Sequence, residues 1–278
     1  MATTNNLQVP VVEDGIRYWT EQPASVDGVL VSASYRCPWI TSLFASLVPR
    51  TLYRIISIKA LGSTARVQSN PCIGCWSRKP VTPFIQEALQ NARKSAAANS
   101  STQTHGRHAV HWPGLAEQTK SVTFLQGTLQ AFDPAHPIVS NDSSSAIAFI
   151  DRIGSHPSPE DPMTDIDSGF DVVWCQWCLG HLNDIDLVAF LRRSYVALRD
   201  HGVDGHNGKS LIVVKENACS DAEDGGPKTV FDEQDSSFTR SDMAWKAAFR
   251  EAGLRLVKEQ VQEGLPDGLY VVKMYALK

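Results

Sequence analysis

The sequence predicts an α/β fold, a mostly parallel sheet flanked by helices and closed by an antiparallel hairpin. Three observations predict it. Short apolar runs without polar alternation recur through the second half of the chain, as suits strands covered on both faces. Between them lie segments with apolar residues at helical spacing behind Asn or Ser caps. The last two strand-like runs flank Gly264-Leu265-Pro266-Asp267-Gly268, strong turn chemistry that reads as a hairpin.

Each element follows from its residues. After Pro80-Val81, residues 84–92 read as a helix, and residues 122–126 as a strand before a turn carrying Leu129-Gln130. Residues 170–177 (FDVVWCQW) are the most continuously buried strand. Asn183 is an N-cap, with Asp184 and Asp186 placed where a helix start favours negative charge. Leu187, Val188, Leu191, Tyr195 and Leu198 then form one apolar face. Residues 211–215 (LIVVK) are another buried strand. Thr239 or Ser241 caps a helix running through Ala252, with Ala247, Ala248 and Phe249 inward and Gly253 as its stop. Runs 255–261 and 269–276 form the closing hairpin. Residues 1–278 are read as a single domain, with 91–113 and 135–168 as surface insertions too poor in apolar periodicity for a second core.

Composition excludes several classes. A net charge of −4 supplies no basic field for general nucleic-acid binding. The most apolar window, 40–61, contains Pro49, Arg50 and Arg54 and would span a membrane poorly. No apolar segment follows a basic start, so a secretory leader is not expected and the cytosol or nucleus is. Cys72-x-x-Cys75 and Cys175-x-x-Cys178 invite a metal reading, but the second pair lies in a strand, where residues three apart point to opposite faces. Their separation is also far from common zinc spacings, and His105, His108 and His111 sit in a Ser/Thr/Gly-rich loop, so no metal is expected. In open α/β sheets ligands bind beyond the carboxyl ends of strands, which directs attention to Gln176, Trp177 and His181.

Taken in order, Tyr18-Trp19, Val26-Asp27-Gly28, Leu129-Gln130, Trp174-Cys175-Gln176-Trp177, Gly180-His181-Leu182, Lys215-Glu216-Asn217, Asp235-Ser236-Ser237 and Leu265-Pro266-Asp267 with Tyr270 form a set. The set resembles the α-N-terminal protein methyltransferase family over roughly the first thirty residues and most of the chain from about position 81. The resemblance implies a Rossmann-like class I methyltransferase fold, a mostly parallel seven-stranded sheet ending in an antiparallel hairpin. It implies S-adenosylmethionine as cofactor and, as partners, proteins whose exposed N-termini begin X-Pro-Lys, with neither nucleic acid nor membrane involved. It further implies that Asn217 and Asp235 orient the α-amine, while His181 and Asp235 assist proton removal. Trp19, Trp177 and Tyr270 would wall the peptide channel, Asp27 and Ser237 would contact the peptide, and Leu129, Gln130 and Gln176 would line the cofactor.

The chemistry suits those residue types. Methyl transfer needs the amine lone pair in line with the methyl group, so positioning supplies much of the catalysis. An α-amine with a pKa of about 7.7–8.0 is mostly protonated at neutral pH and must lose a proton to attack. A His or carboxylate is the natural acceptor. Each residue also has a plainer reading: His181 as packing near a helix start, Asn217 as a strand end, Asp235-Ser236-Ser237 as a turn cap, Trp174 as core, Tyr18-Trp19 as a clasp over the sheet.

Residues 31–79 depart from the family pattern. A class I methyltransferase has a Gly-x-Gly turn after its first strand and an acidic residue ending its second. Here Gly62 and Gly74 stand isolated, Val31-Ser32 replaces an expected Gly-Gly, and Lys79 occupies the carboxylate position, where a cation cannot accept a hydrogen bond. The window holds seven basic residues, no acidic ones, eight serines and three of the six cysteines, which reads as a shifted frame or misassigned exon resuming near Pro80. If the residues are genuine, one lost charged hydrogen bond costs about 1.5–3 kcal/mol of cofactor affinity. The alternative function is then a catalytically impaired relative that binds protein N-termini without turnover. A class I methyltransferase acting on a small molecule is the third reading, and the ordered peptide-channel residues argue against it.

Overall fold

The computed structural model describes residues 8–21, 55–59, 72–76, 82–97, 114–136, 147–155, 169–201, 208–265 and 267–278. Its sheet is built outward from the most apolar runs. Strand β5 (Val172–Gln176) pairs in parallel with β6 (Leu211–Cys219) on one side and β1 (Ile55–Lys59) on the other. Strands β2 (Cys72–Trp76) and β3 (Ser121–Gly127) continue the parallel sheet beyond β1. At the other side β10 (Val271–Leu277) runs antiparallel to β6, and β9 (Leu256–Val261) antiparallel to β10, as the hairpin chemistry predicts. The chain proceeds from β1 outward through β3 and then returns beside β1 as β5, so strand order reverses between β1 and β5. That reversal opens a crevice at the carboxyl ends of these strands.

Several expectations are corrected. The sheet holds ten strands among the described residues rather than seven. One addition, β4 (Ile147–Gly154), pairs antiparallel with β3 inside the segment read as an insertion at 135–168. Its Arg152 is buried and donates to Ser121 Oγ at 2.8 Å, so a charged residue lies in a strand the overall Pro/Ser/Asp composition concealed. The other additions, β7 (Thr229–Asp232) and β8 (Ser237–Ser241), form a hairpin whose second strand joins the end of β6 through Ala218–Arg240 and Cys219–Ser241. The atypical window 31–79 supplies β1 and β2, and the rest of it, with Val31-Ser32, Gly62 and Lys79, lies outside the described residues. His105, His108 and His111 lie outside them too.

Helices cover both faces. Helix α2 (Thr82–Ala97) runs five residues beyond its expected end, into the segment read as an insertion. It packs with Phe124 and Ile153 against Val172, Leu211 and Val213. On the other face α3 (Asp184–Val196) and α4 (Asp242–Glu251) bring Leu187, Leu191, Trp245 and Phe249 onto Val173, Cys175, Ile212 and Val214. Alternate residues of β5 and β6 thus feed opposite cores, and each buried large side chain contributes about 1.5–3 kcal/mol. The caps fall where the sequence places them: Asn183 Oδ1 accepts from Asp186 N at 2.8 Å, and Ser241, not Thr239, caps α4. No helix among the described residues is long and apolar enough to cross a membrane. Helix α1 (Val12–Glu21) lies against the β7–β8 turn, where Val11 N donates to Ser236 Oγ at 2.8 Å.

Candidate active site

The site begins with a backbone reversal at the end of β5. Trp177 has φ +48°, a left-handed conformation that a bulky residue adopts at a cost of order 1–3 kcal/mol. Its N–H donates to Lys215 O at 3.1 Å, anchoring the reversal to β6. The turn brings the Cys178 thiol into hydrogen-bond contact with Cys175, correcting the opposite-face reading, which assumed a straight strand through residue 178. Both thiols are buried, and burial pushes Cys178 up, so they act as packing groups.

Beyond the reversal comes a single 3-10 turn, Leu179–His181. The N–H groups of Cys178 and Leu179 donate to Glu216 Oε1 at 2.8 and 2.9 Å. At the opposite end Arg240, itself buried, donates to Leu182 O at 2.7 Å and pairs with Asp184 at 2.7 Å. Gly180 is required by close approach: a Cβ there would stand 2.8 Å from the backbone oxygen of Phe238. The turn is thereby pressed onto β8, and His181 faces the β7–β8 turn.

Two groups of predicted site residues assemble at this rim. In the first, Trp177 Nε1 donates to Asn217 Oδ1 at 3.2 Å, and Lys215 Nζ lies 4.6 Å from the Trp177 ring centroid. In the second, His181 Nδ1 lies 3.3 Å from Ser236 O. A carbonyl only accepts, so Nδ1 carries the proton and Nε2 keeps its lone pair. Asp235 adjoins His181 and takes hydrogen bonds from the Ser237 side chain and amide, while its Oδ1 is buried without a partner. Ser236, with φ +54°, turns its carbonyl to His181 and its hydroxyl to Val11. Helix α1 closes over this pair so tightly that a Cβ at Gly15 would lie 3.3 Å from His181 Nδ1 and 3.1 Å from Asp235 O.

Burial governs the electrostatics. It lowers the His181 pKa, with Asp235 and the Ser236 carbonyl opposing, so the imidazole is neutral near pH 7. It raises that of Asp235, against the Ser237 hydrogen bonds and His181. Glu216 is pushed up to about 7 by burial, against its two amide donors and Arg240. A neutral His beside an under-bonded carboxylate is an arrangement that accepts a proton from a cationic amine.

Of the remaining predicted residues, Gln176, Leu129, Gln130 and Tyr270 lie along the same rim. Gln176 ends β5, nearly buried, and its Oε1 accepts from Trp174 Nε1 at 3.3 Å, leaving its amide hydrogens to donate. Leu129 packs partly into the core, while the Leu129 and Gln130 carbonyls accept from Arg193 Nη2 at 3.0 and 3.2 Å. Tyr270 is exposed two residues before Val272, which pairs with Asn217. Trp19 belongs to α1, and Asp27 lies outside the described residues. Sequence reasoning missed Glu216, Arg240 and Arg193. A Glu inside a buried strand was itself the signal, because such a charge is rarely buried without partners.

Comparisons with known proteins show the family and the fold. Residues 115–278 match the model of a family described as AdoMet-dependent proline di-methyltransferases. The chain is 29% identical to alpha N-terminal protein methyltransferase 1 of Arabidopsis thaliana, over 95% of this chain and 78% of that protein. It is 44% identical to the Schizosaccharomyces pombe protein of the same name, over 39% of this chain and 43% of that one. It is 40% identical to N-terminal Xaa-Pro-Lys N-methyltransferase 1 of Rattus norvegicus, over 40% of this chain and 44% of the relative. The last two alignments thus cover less than half of the relatives' lengths. A solved SAM-dependent methyltransferase of Leishmania major superposes with a TM-score of 0.57 at 22% identity, over 96% of this chain and 82% of that one, which establishes the fold.

Proposed function

The chain belongs to the AdoMet-dependent proline di-methyltransferase family, and from that premise we propose that it methylates the α-amino group of proteins whose N-termini begin X-Pro-Lys. The observation that carries this reading is the meeting of a neutral His181 with Asp235, whose Oδ1 is buried and unpartnered, at the rim that also carries Asn217. S-adenosylmethionine, when bound, supplies a sulfonium carbon open to in-line attack. The donor set suits it: the free amide hydrogens of Gln176 fit a carboxylate, and the turn after β3 offers an apolar side chain and fixed backbone. Asn217 Oδ1, already holding Trp177, has a second lone pair for an amine N–H, which leaves the amine's own lone pair free. His181 Nε2 takes the proton that the amine must lose, and Asp235 stabilises the resulting imidazolium. Trp177 and helix α1 exclude water from the exchange.

The test uses the full chain with S-adenosylmethionine and a synthetic X-Pro-Lys peptide, followed by mass spectrometry. Mass gain on the free peptide and none on its N-acetylated counterpart is the expected result. Equal labelling of both would refute methylation of the α-amine, since the lysine side-chain amine is present in each. Peptide binding with no calorimetric heat from S-adenosylmethionine would favour the impaired relative instead.

A further inference from the structure

We propose that Glu216 is a positioning residue that sets the aim of His181 and Trp177 by clamping the amide end of the turn between them. The inference rests on the amine-methylating reading above, but the clamp itself is a matter of geometry. Glu216 lies on β6 between Lys215 and Asn217 and is 5% exposed. Strand alternation sends its side chain away from the face that carries Lys215 and Asn217. There a single oxygen, Oε1, receives both N–H groups that open the turn, at 2.8 and 2.9 Å. Arg240 grips the carbonyls at the turn's other end, Leu182 O at 2.7 Å and Leu179 O at 3.4 Å. An acid at the amide end and a cation at the carbonyl end complete one turn of helix with complementary charge.

What the clamp fixes is functional on both sides. Immediately before it stands Trp177, in its left-handed conformation and bonded to Asn217. Two residues after the clamped amides, at the end of the same turn, stands His181, whose ring meets Ser236 O. The strand residue adjoining Asn217 therefore determines how Trp177 and His181 sit relative to Asn217 itself. A core role alone would be served better by an apolar side chain, since a buried carboxylate is costly unless its bonds are needed. Because both amides use one oxygen, an amide carbonyl at the same reach would serve as well as the carboxylate.

This gives opposite expectations for two near-isosteric changes. Glu216→Gln keeps an oxygen at full reach, and its kcat should stay within about threefold of the wild type. Glu216→Asp keeps the charge but is one methylene short, and its kcat should fall by about tenfold or more, with the KM for S-adenosylmethionine changed less than about twofold. Independently of turnover, the Trp177 indole N–H and His181 ring-proton resonances should move in Glu216→Asp and stay in place in Glu216→Gln. Asp equal to wild type in both readouts, or Gln as impaired as Asp, would overturn the clamp. If the wild type shows no turnover, the amine-methylating reading fails, and the resonances alone still decide the clamp.

Discussion

Glu216 also makes a prediction about pH. Its pKa is about 7 in the folded chain against 4.5 as the ordinary value, so between these the folded state holds a proton the unfolded state has lost. The sign follows: its contribution to stability is fully present below pH 4.5 and is lost as pH rises through about 7. The loss is on the order of 3 kcal/mol. His181 acts in the opposite sense, because its lowered pKa contributes stability above about pH 6.5 that is lost on acidification. Comparison with Glu216→Gln isolates the first effect from the second. Urea melts at pH 5 and pH 8 should show the Gln variant gaining on the wild type by up to about 3 kcal/mol at the higher pH. Parallel profiles for the two proteins would mean that Glu216 does not titrate there.

Among the elements, α3 reaches the turn after β3, the proposed cofactor side of the rim, through Arg193. Its Nε donates to Phe132 O at 3.0 Å, and its Nη2 to Leu129 O and Gln130 O, so one guanidinium holds the whole turn after β3. Arg193→Lys would retain the charge and lose the fork, and S-adenosylmethionine affinity should weaken about three- to tenfold. Calorimetry with unchanged affinity would separate this turn from the cofactor. The elements were unequally legible in the sequence. β5, β6, α3 and α4 announced themselves because apolar periodicity and Asn or Ser caps act locally, and the terminal hairpin because its turn needs Gly and Pro. Strands β1, β2 and β4 did not, since their pairing is decided by neighbours distant in the chain, and Ser- and Arg-rich surroundings diluted their apolar signal. Among the expected site residues, His181, Asn217 and Asp235 came from the family resemblance, and the fold carries them to one rim. Arg193 was invisible because its partners are backbone carbonyls, which carry no sequence signature.

At the scale of the whole molecule, the N-terminal segment and the sheet's carboxyl rim are one assembly. Val11 N binds Ser236 Oγ, Gln8 binds Glu233, and Gly15 lets α1 settle onto His181. Tyr18 in the same helix has its pKa raised, first by burial and then by Asp235 and Asp232. Deleting residues 1–21 should therefore raise the peptide KM at least about tenfold while S-adenosylmethionine affinity is retained. Equal loss of both would show α1 to be part of the fold's support rather than of the peptide side. The opposite flank is secured separately: Asp242 at the start of α4 joins Lys246 and Lys273, both at 2.7 Å, and the Tyr275 hydroxyl at 2.8 Å. Loss of α1 should accordingly leave the β9–β10 flank intact.

The inverted backbone at Trp177 has an evolutionary and practical consequence. Mutation at such a position is judged twice, once for the indole and once for the dihedral angle. Glycine would surrender the ring but release the torsional penalty, whereas alanine would surrender the ring and keep it. Of the two variants, Trp177→Gly should thus melt at the higher temperature, against the usual ranking of glycine and alanine. A thermal scan of the pair would weigh how much stability the chain gives up to hold that indole where it is.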